Sequence, residues 1–578
     1  MLQFKKHFFQ SFLIFISLSC LLLSPLNAAT TITKILALGD NITGGATSVA
    51  GLTPYLYPLW EKLFRGGYME GDARMEFIGP NSYSGRVTIK NVGAGLSQTA
   101  EDIDATITSI YTQYPADIVL LHAGHNHDAA LNPVPSIIAA HRSIIAKILA
   151  INPNAKILMA QVIPSGKLPK YSYIPELNTQ LASLADELNA AGKPVTLVNQ
   201  AEGFNWATDC VDNMVHPNAL GADKMATKWY EALEKVLPKP SESFNPQLVI
   251  YKQPVGAPLQ LHIFKPANMI TGKKYPSIVF FFGGGWSSGT PIQFYREASY
   301  YASRGMVAIC ADYRIAFTHN TTPLESIKDA KSVIRWMRTN AAQYGINPDS
   351  IAAAGASAGG HLAAASGTLQ NWDETGENLS ISSKPNLMLL YYAVIDNGPS
   401  GYGPASIKDQ YLTASPLHNI NATTPPCIML LGTKDQYVPV ATAQLFQKKM
   451  LDLGIESELS LYTNAVHPIF LYQDGKSENY YKMLSESTNF LIKHKYIQAP
   501  TGTGLSSSAA SKRSISPNPT SDKLTISGLN TVENIKVFNA QGCLVSEQQT
   551  DNEISVAGLA KGMYTLKVND ESYKLLVR

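Results

Sequence analysis

A serine flanked by small residues carries the clearest chemical signal in this chain. The segment Gly355-Ala356-Ser357-Ala358-Gly359 has the pattern G-x-S-x-G and directly follows the apolar run at residues 351–354. A sharp strand-to-helix turn leaves no room for side chains at the two glycines, and it exposes the serine oxygen above the N-terminus of the helix. Because a serine hydroxyl is a weak nucleophile by itself, the sequence must also supply a general base.

An acid and a base follow in the chain order Ser, Asp, His. Asp435 comes after the strand-like run 428–431 and a turn that contains glycine, and His467 lies in a later polar loop. Upstream, the hydrophobic run 278–282 leads into three glycines at 283–285, whose backbone N–H groups can face a developing oxyanion. Each part alone also fits an ordinary structural role, since an aspartate after a strand is commonly a turn or cap residue. Together the four parts predict a Ser-His-Asp hydrolase.

The segments around these residues are similar to those of a known family. From about residue 248 to 496 the chain resembles the α/β-hydrolase esterases of the carboxylesterase, acetyl esterase and feruloyl esterase type. The resemblance includes Ala311-Asp312-Tyr313-Arg314 after a strand and a helical segment at 329–336 before the nucleophile strand. It implies an α/β-hydrolase domain over residues 245–497. Its implied catalytic residues are the nucleophile Ser357, the general base His467 and the orienting carboxylate Asp435.

The same resemblance assigns an oxyanion hole. The implied donors are the backbone N–H groups of Gly284, Gly285 and Ala358. The family's usual histidine before the glycines is replaced by Phe282 in this chain. The replacement removes a side chain that would brace the loop, but it leaves the backbone donors in place.

Composition limits the class of protein. A chain of 578 residues is too long for one core, and its net charge of +2, without a long basic or acidic run, argues against nucleic acid as a partner. Beyond the N-terminal segment the cysteines are Cys210, Cys310, Cys427 and Cys543, and no C-x-x-C spacing appears. We therefore expect neither a disulfide framework nor a zinc site. The serine chemistry also requires no cofactor or metal.

The N-terminus has the features of a targeting segment. Lys5 and Lys6 precede an apolar stretch at 8–26 and small residues at 27–29. This pattern predicts a secretory signal peptide over residues 1–28, cleaved near Ala28, with a membrane anchor as the alternative.

The C-terminal end consists of a predicted linker and a small domain. Residues 498–515 include a low-complexity run and are predicted to be a linker. Residues 516–578 contain short alternating segments that predict a small β-sandwich. Segments 516–520, 562–568 and 574–578 resemble the sorting domain of the Bacteroidetes type IX secretion system. The resemblance implies the type IX secretion machinery as a partner and a route through the periplasm to the surface or medium. An accessory binding module is the alternative.

Residues 30–238 alternate strand-like and helical segments, which predicts a parallel sheet covered by helices. Segments 39–43, 123–126 and 215–218 follow the block order of the SGNH (GDSL) hydrolases. This resemblance implies a flavodoxin-like three-layer domain with site positions at Asn41, Asn126 and His216. Either Gly93 or Gly95 fits the position of the oxyanion glycine.

Two departures from that family put its chemistry in doubt. Asn41 stands where the family has its nucleophilic serine, and an amide nitrogen is not nucleophilic. The family's aspartate usually stands three residues before the histidine, where this chain has Asn213, with Asp212 one place earlier. We therefore expect a domain that keeps the fold without the chemistry. The roles left open are carbohydrate binding, a structural role, a hydrolase using Thr43 or Ser48, and a metal site among His122, His125, His127 and Asp128.

The sequence thus predicts an α/β protein with a C-terminal β-sandwich. The expected function is that of a secreted or surface serine carboxylic-ester hydrolase acting on acylated polysaccharide or oligosaccharide, removing acetyl or feruloyl groups from plant or algal material. That substrate class rests on family analogy, which does not fix a substrate. The alternatives are a broad short-chain carboxylesterase or lipase, and a non-catalytic surface glycan-binding protein.

Overall fold

A computed structural model gives the fold of the chain. It describes residues 32–499 apart from 46–53, 70–72, 94–97, 241, 256, 468–469 and 471–477, and residues 514–577 apart from 517, 519, 528–532, 540–543, 551 and 569–570. The predicted signal peptide and most of the predicted linker lie outside the described residues. The chain forms two compact units, Met1–Ile497 and Gln498–Arg578.

The first part of the larger unit is a mainly parallel sheet covered by helices. Its strands are β1 (Thr33–Gly39), β2 (Met75–Ile78), β3 (Asn81–Ser84), β4 (Thr88–Gly93), β5 (Ile118–His122), β6 (Lys156–Gln161) and β7 (Val195–Asn199). Its helices are α1 (Asn41–Gly44), α2 (Leu56–Arg65), α3 (Ala100–Gln113), α4 (Val134–Ile151), α5 (Ile174–Ala190), α6 (Trp206–Asp209) and α7 (Ala219–Leu233). The strand order is β3-β4-β1-β5-β6-β7, with β2 also paired to β1.

Burial in this first sheet explains its pattern of residues. The central strand β5 is buried along its whole length, as expected for a parallel strand with helices on both faces. Helix α4 is long and apolar enough by composition to cross a membrane, the one such helix among the described residues. Its side chains Ile137, Ile144 and Ile148 lie in the core beside this sheet.

The second part of the larger unit is an eight-stranded sheet. Its strands are β8 (Gln247–Lys252), β9 (Leu259–Phe264), β10 (Tyr275–Phe281), β11 (Val307–Ala311), β12 (Ile346–Ala356), β13 (Leu387–Tyr391), β14 (Cys427–Gly432) and β15 (Ser457–Tyr462). Its helices are α8 (Tyr295–Ser303), α9 (Ala316–His319), α10 (Pro323–Thr339), α11 (Ala341–Tyr344), α12 (Ala358–Thr368), α13 (Pro404–Ile407), α14 (Tyr411–Ala414), α15 (Val440–Asp452) and α16 (Glu478–Lys493).

The topology of the second sheet collects the predicted catalytic segments. The strand order is β15-β14-β13-β12-β10-β11-β9-β8. The pairings from β15 to β11 are parallel, whereas β9 pairs antiparallel with both β11 and β8. Because the carboxyl ends of parallel strands meet at one edge, the loops after β10, β12, β14 and β15 lie together. Those loops carry the glycines, the serine, the aspartate and the histidine singled out in the sequence.

The smaller unit consists of two antiparallel sheets. Its strands are β16 (Ser514–Ser516), β17 (Lys523–Ser527), β18 (Glu533–Phe538), β19 (Leu544–Thr550), β20 (Glu553–Ser555), β21 (Gly562–Val568) and β22 (Glu571–Val577). The sheet orders are β16-β17-β20 and β19-β18-β21-β22. Alternating apolar side chains from both sheets, such as Leu524, Ile535 and Leu566, form one core. The α/β architecture with a C-terminal β-sandwich is therefore confirmed.

Candidate active site

Ser357 occupies a strained turn between β12 and α12. Its backbone has φ 55° and ψ −118°, a conformation that costs free energy for a residue with a side chain. A Cβ at Gly355 would collide with the carbonyl oxygen of Gly359, and a Cβ at Gly359 would collide with the Phe281 carbonyl. Glycines are therefore required on both sides of the serine, and the turn holds the hydroxyl at the start of α12.

A chain of hydrogen bonds joins the serine to an imidazole and a carboxylate. The Ser357 Oγ lies 3.0 Å from His467 Nε2, and His467 Nδ1 lies 2.7 Å from Asp435 Oδ2. The second Asp435 oxygen, Oδ1, accepts from the N–H groups of Tyr437 at 2.8 Å and Val438 at 2.9 Å. With the carboxylate ionised, His467 Nδ1 donates to it, so that Nε2 has its lone pair directed at the serine hydroxyl.

The surroundings of His467 restrict the ring to this position. The edge-on rings of Tyr392 and Tyr437 lie 4.5 and 5.0 Å from the imidazole, measured between ring centroids. The side chain of Asp435 is fully buried and that of His467 is 8% exposed. The loop of Asp435 is joined to the histidine loop because the Lys434 N–H donates to the Ala465 carbonyl at 2.9 Å. Both loops therefore hold the pair as one unit.

The glycine loop after β10 forms a tight turn. Gly284 and Gly285 have φ of 138° and 59°, conformations that favour glycine. The Gly284 carbonyl accepts from the N–H groups of Ser287 and Ser288, both at 3.1 Å. The Gly283 N–H is already bonded to the side chain of Gln293. The predicted donors Gly284 and Gly285 thus belong to a tight turn, and Ala358 is the first residue of α12.

Phe282 and Arg86 together brace this loop. The Phe282 ring is fully buried and stacks on Tyr313 with centroids 4.1 Å apart. The Tyr313 hydroxyl donates to the Phe282 carbonyl at 2.7 Å. Arg86 lies in the loop between β3 and β4, and its Nε donates to the Gly289 carbonyl at 3.1 Å. Its backbone carbonyl accepts from the Gly289 N–H at 2.9 Å. Its guanidinium also pairs with Asp312 through both oxygens.

The Arg86 contact is one that sequence reasoning missed. Arg86 is 203 residues from Gly289 and 226 residues from Asp312 along the chain. The contact joins loops of two different sheets. Sequence spacing carries no signal for such a pair, although the family-like Asp312 marks the acceptor. The loop bracing lost with the histidine at Phe282 is therefore supplied from the first sheet of the unit.

A cavity adjoins the serine turn. Its volume is about 320 Å³, and its lining includes Ala356, which precedes the serine, and Tyr392, which packs on His467. Gln293, whose oxygen accepts from the glycine loop, also lines it. The cavity is thus bordered by the residue before the serine, by a ring that packs on the imidazole and by a side chain bonded to the glycine loop.

The second predicted site also assembles, but its groups differ in kind. The Asn41 side-chain nitrogen contacts His216 Nε2, and the Asn213 side-chain nitrogen lies 2.7 Å from His216 Nδ1. Asn126 donates to the Asn41 oxygen at 3.1 Å. An amide nitrogen is not nucleophilic, and its N–H groups donate rather than accept, so these two amide nitrogens do not supply the groups that a serine and a carboxylate would present to the ring. Burial lowers the pKa of His216, which favours its neutral form.

The described residues among the remaining predicted positions of this second site make other contacts. The Gly93 N–H donates to the Asn91 side chain at 2.8 Å and is therefore occupied in this conformation. Asp212 is exposed, and Asn213 takes the contact with the ring instead. Thr43 is buried against the Tyr55 hydroxyl at 3.1 Å. Gly95 and Ser48 lie outside the described residues.

Three buried groups beside this site could hold a metal ion. Asp40, His122 and His125 have ligand atoms that all lie within 4.8 Å of one another. Burial lowers the pKa of His122 to about 4, so its imidazole is neutral at ordinary pH. His127 instead bonds Glu101 at 2.8 Å, and Asp128 accepts from the Ala130 N–H. Of the four residues considered from the sequence, only His122 and His125 therefore lie in this group, and its third member is Asp40.

Three family matches cover most of the described chain. Residues 37–224 match the GDSL-like Lipase/Acylhydrolase family. Residues 261–409 match the BD-FAE family. Residues 514–578 match the secretion system C-terminal sorting domain. Each match falls on the segment where the sequence motifs indicate the corresponding resemblance.

Individual relatives include esterases from several organisms. Esterase LipC of Mycobacterium tuberculosis is 28% identical over 214 residues, 33% of this chain and 51% of LipC, so the chain spans about half the length of that relative. An acetylxylan esterase of Xylanibacter ruminicola is 26% identical over 201 residues, 32% of this chain and 39% of that protein. Esterase 2 of Thermogutta terrifontis, solved after phosphorylation by paraoxon, is 37% identical with a TM-score of 0.42, covering 44% of this chain and 96% of that one. The chain therefore carries a GDSL-like domain, a BD-FAE esterase domain of the α/β-hydrolase fold and a secretion-system C-terminal sorting domain.

Proposed function

We propose that the chain is a secreted serine esterase whose catalytic residues are Ser357, His467 and Asp435. The observation that carries this proposal is the hydrogen-bonded series from the Ser357 hydroxyl through His467 to Asp435. Ser357 lies at the end of a strand, on a turn that requires glycine on both sides of the serine. The match to an esterase family and the esterases among the relatives support the reaction type.

The proposed reaction follows from the geometry. His467 Nε2 removes the Ser357 proton as Oγ attacks the ester carbonyl carbon, and the charge that develops on the carbonyl oxygen is stabilised by N–H groups of Gly284, Gly285 and Ala358. The imidazolium then gives the proton to the leaving alcohol, which leaves an acyl group on Ser357. A water molecule, deprotonated by His467, hydrolyses that acyl-enzyme and releases the acid. Asp435 keeps the Nδ1 proton in place and stabilises the imidazolium throughout.

We further propose acylated plant or algal polysaccharides as substrates. An acetylxylan esterase among the relatives supports this substrate class. The sorting domain supports delivery to the cell surface or medium by the type IX machinery, where polymeric substrates are accessible.

A panel of esters tests the substrate proposal. We expect the purified chain to release acid from acetylated and feruloylated oligosaccharides with a higher kcat/KM than from the ethyl esters of the same acids, whose leaving alcohol is also unactivated. The physical reason is that binding energy from the sugar contributes to the transition state. Product analysis by mass spectrometry would identify the acyl group. An equal or higher kcat/KM for the ethyl esters would favour a broad carboxylesterase instead.

We propose that the GDSL-like domain has no esterase chemistry of its own. In a chain carrying Ser357→Ala, we expect Asn41→Ser with Asn213→Asp to restore weak ester hydrolysis. The pair of changes supplies a hydroxyl beside His216 Nε2 and an acceptor beside its Nδ1. The recovery should be weak because the Gly93 N–H is bonded to Asn91. The matched control is Asn41→Ala with Asn213→Asp, which lacks the hydroxyl. Clear hydrolysis by Ser357→Ala alone would contradict the proposal.

A further inference from the structure

Helix α2 of the GDSL-like domain has two apolar faces. Leu56, Leu59 and Leu63 are fully buried in the core of their own domain. Trp60 and Phe64, four residues apart and therefore on one face, pack against the core of the esterase domain. A helix that only closed its own sheet would need the first face alone. The second face shows that this helix is built to contact the neighbouring domain.

The contact made by that second face is aromatic. Phe64 stacks on Phe244 with ring centroids 5.9 Å apart and meets Tyr295 edge-on at 6.1 Å. Trp60 lies beside Phe64 at 5.7 Å. Such pairs stabilise an interface beyond the area that they bury. The aromatic contact therefore fixes the position of α2 against the esterase domain.

The same two side chains line the cavity that borders the serine turn at Ala356. Trp60, Phe64 and Val87 all contribute to its wall, although they belong to the GDSL-like domain. Val87 directly follows Arg86, whose backbone and guanidinium are bonded to Gly289 and Asp312 of the esterase domain. The bonding of Arg86 thus fixes where Val87 lies.

The cavity has the size and lining of a site for a bulky acyl group. At about 320 Å³ it reaches the lower end of the range of ligand pockets, roughly 300–1,000 Å³. An acetyl group, with one methyl beyond its carbonyl, would leave most of that volume unfilled. Besides Trp60 and Phe64, the aromatic side chains of Phe294, Tyr392 and Phe470 line it. Flat aromatic walls favour a planar aromatic acyl group.

We propose that the GDSL-like domain completes the acyl-binding site of the esterase domain, with Trp60, Phe64 and Val87 determining which acyl groups are accepted. The ligand is an aromatic acyl group held between the two domains, with its ester carbonyl at Ser357. This inference rests on the proposed ester hydrolysis. It gives the domain with the amide-substituted site a function that needs no nucleophile of its own.

Substitutions in the wall test the proposal in the full chain. The substrates are 4-nitrophenyl acetate and 4-nitrophenyl ferulate, which share one leaving group and differ in the acyl group. Val87→Trp fills the cavity, and we expect it to lower the ferulate-to-acetate ratio of kcat/KM by about tenfold or more, a usual effect of changing pocket size. Trp60→Ala removes an aromatic wall and should also lower the ratio, whereas Val87→Ala only enlarges the cavity and should leave the ratio near that of the parent chain. The control is Leu131→Trp, which adds an indole at an exposed position of the same domain, where the leucine is 80% exposed.

The outcomes separate the two proposals. Acetate turnover and melting temperature near those of the parent chain show that each variant is folded. If Val87→Trp leaves the ratio unchanged while acetate turnover persists, the composite acyl site is wrong and the esterase proposal stands. A parent chain that hydrolyses neither ester overturns both. A drop in the ratio for Val87→Trp, absent in Leu131→Trp, supports the composite site.

Discussion

Replacing Ser357 by alanine should lower kcat for ester hydrolysis by about 10⁴- to 10⁶-fold, the range found when a member of such a triad is lost. In the proposed mechanism, the substitution removes the atom that forms the bond to the acyl group. It leaves the strand, the turn and the adjacent helix intact, because both flanking glycines remain. Removal of Oγ should also relieve no strain, since alanine keeps the Cβ at φ 55°. We therefore expect the melting temperature to change little.

The measurement is single-turnover and steady-state hydrolysis of 4-nitrophenyl acetate by the purified chain. Ser303→Ala is a matched control, because Ser303 is exposed at the end of α8 and its hydroxyl bonds only the Tyr300 carbonyl among the described contacts. The control should keep the parent activity. Retention of more than about a tenth of the parent kcat by Ser357→Ala would end the assignment, because no intact triad tolerates loss of its nucleophile so well.

The local patterns that predicted the fold are those that depend on neighbouring residues. Alternation of apolar runs with helical segments indicated the parallel sheets, and strand β5 is buried along its whole length because helices cover both faces of its sheet. The glycines around Ser357 indicated the turn because steric exclusion acts within a few residues. Strand burial and steric exclusion at a turn each involve only a short segment of chain, so both can be predicted from a single sequence.

The parts of the site that could not be predicted depend on contacts between distant segments. Arg86 bonds a glycine 203 positions later, and no periodicity connects the two. The sequence predicted a sheet covered by helices over residues 30–238, but Trp60 and Phe64 of α2 lie on a second apolar face whose partner is in the other domain. Apolar residues on such a face look in sequence like additional core residues. Only the arrangement of the two domains reveals that they line a cavity.

The group of Asp40, His122 and His125 is a second set of contacts between distant segments that the sequence did not predict. The sequence suggested four residues of one loop, because they are adjacent along the chain. In the structure the loop directs His127 to Glu101, whereas Asp40 comes from the end of β1 and faces the other two histidines. Adjacent loop residues point in different directions, so proximity in sequence does not group their ligand atoms.

Replacing Asp435 by asparagine should lower kcat by about 10⁴-fold while leaving the fold intact. The Oδ1 of Asp435 accepts from the Tyr437 and Val438 N–H groups, and an asparagine oxygen would keep both bonds. The amide nitrogen of the asparagine would then face His467 Nδ1, so that Nδ1 must accept rather than donate a hydrogen bond. The ring proton would therefore lie on Nε2, and Nε2 could no longer act as the base.

The chain already contains that arrangement in its other domain. The Asn213 oxygen accepts from the N–H groups of Val215 and His216, and its nitrogen lies 2.7 Å from His216 Nδ1. Asp435→Asn would thus give His467 the arrangement that His216 already has, with an amide nitrogen facing Nδ1. The measurement is kcat for 4-nitrophenyl acetate beside Asp452→Asn, a change at an exposed aspartate paired only with Lys448 in the described structure. The control should keep the parent rate. Loss of less than about tenfold in Asp435→Asn would mean that the carboxylate does not set the His467 tautomer, a role that normally governs a far larger factor.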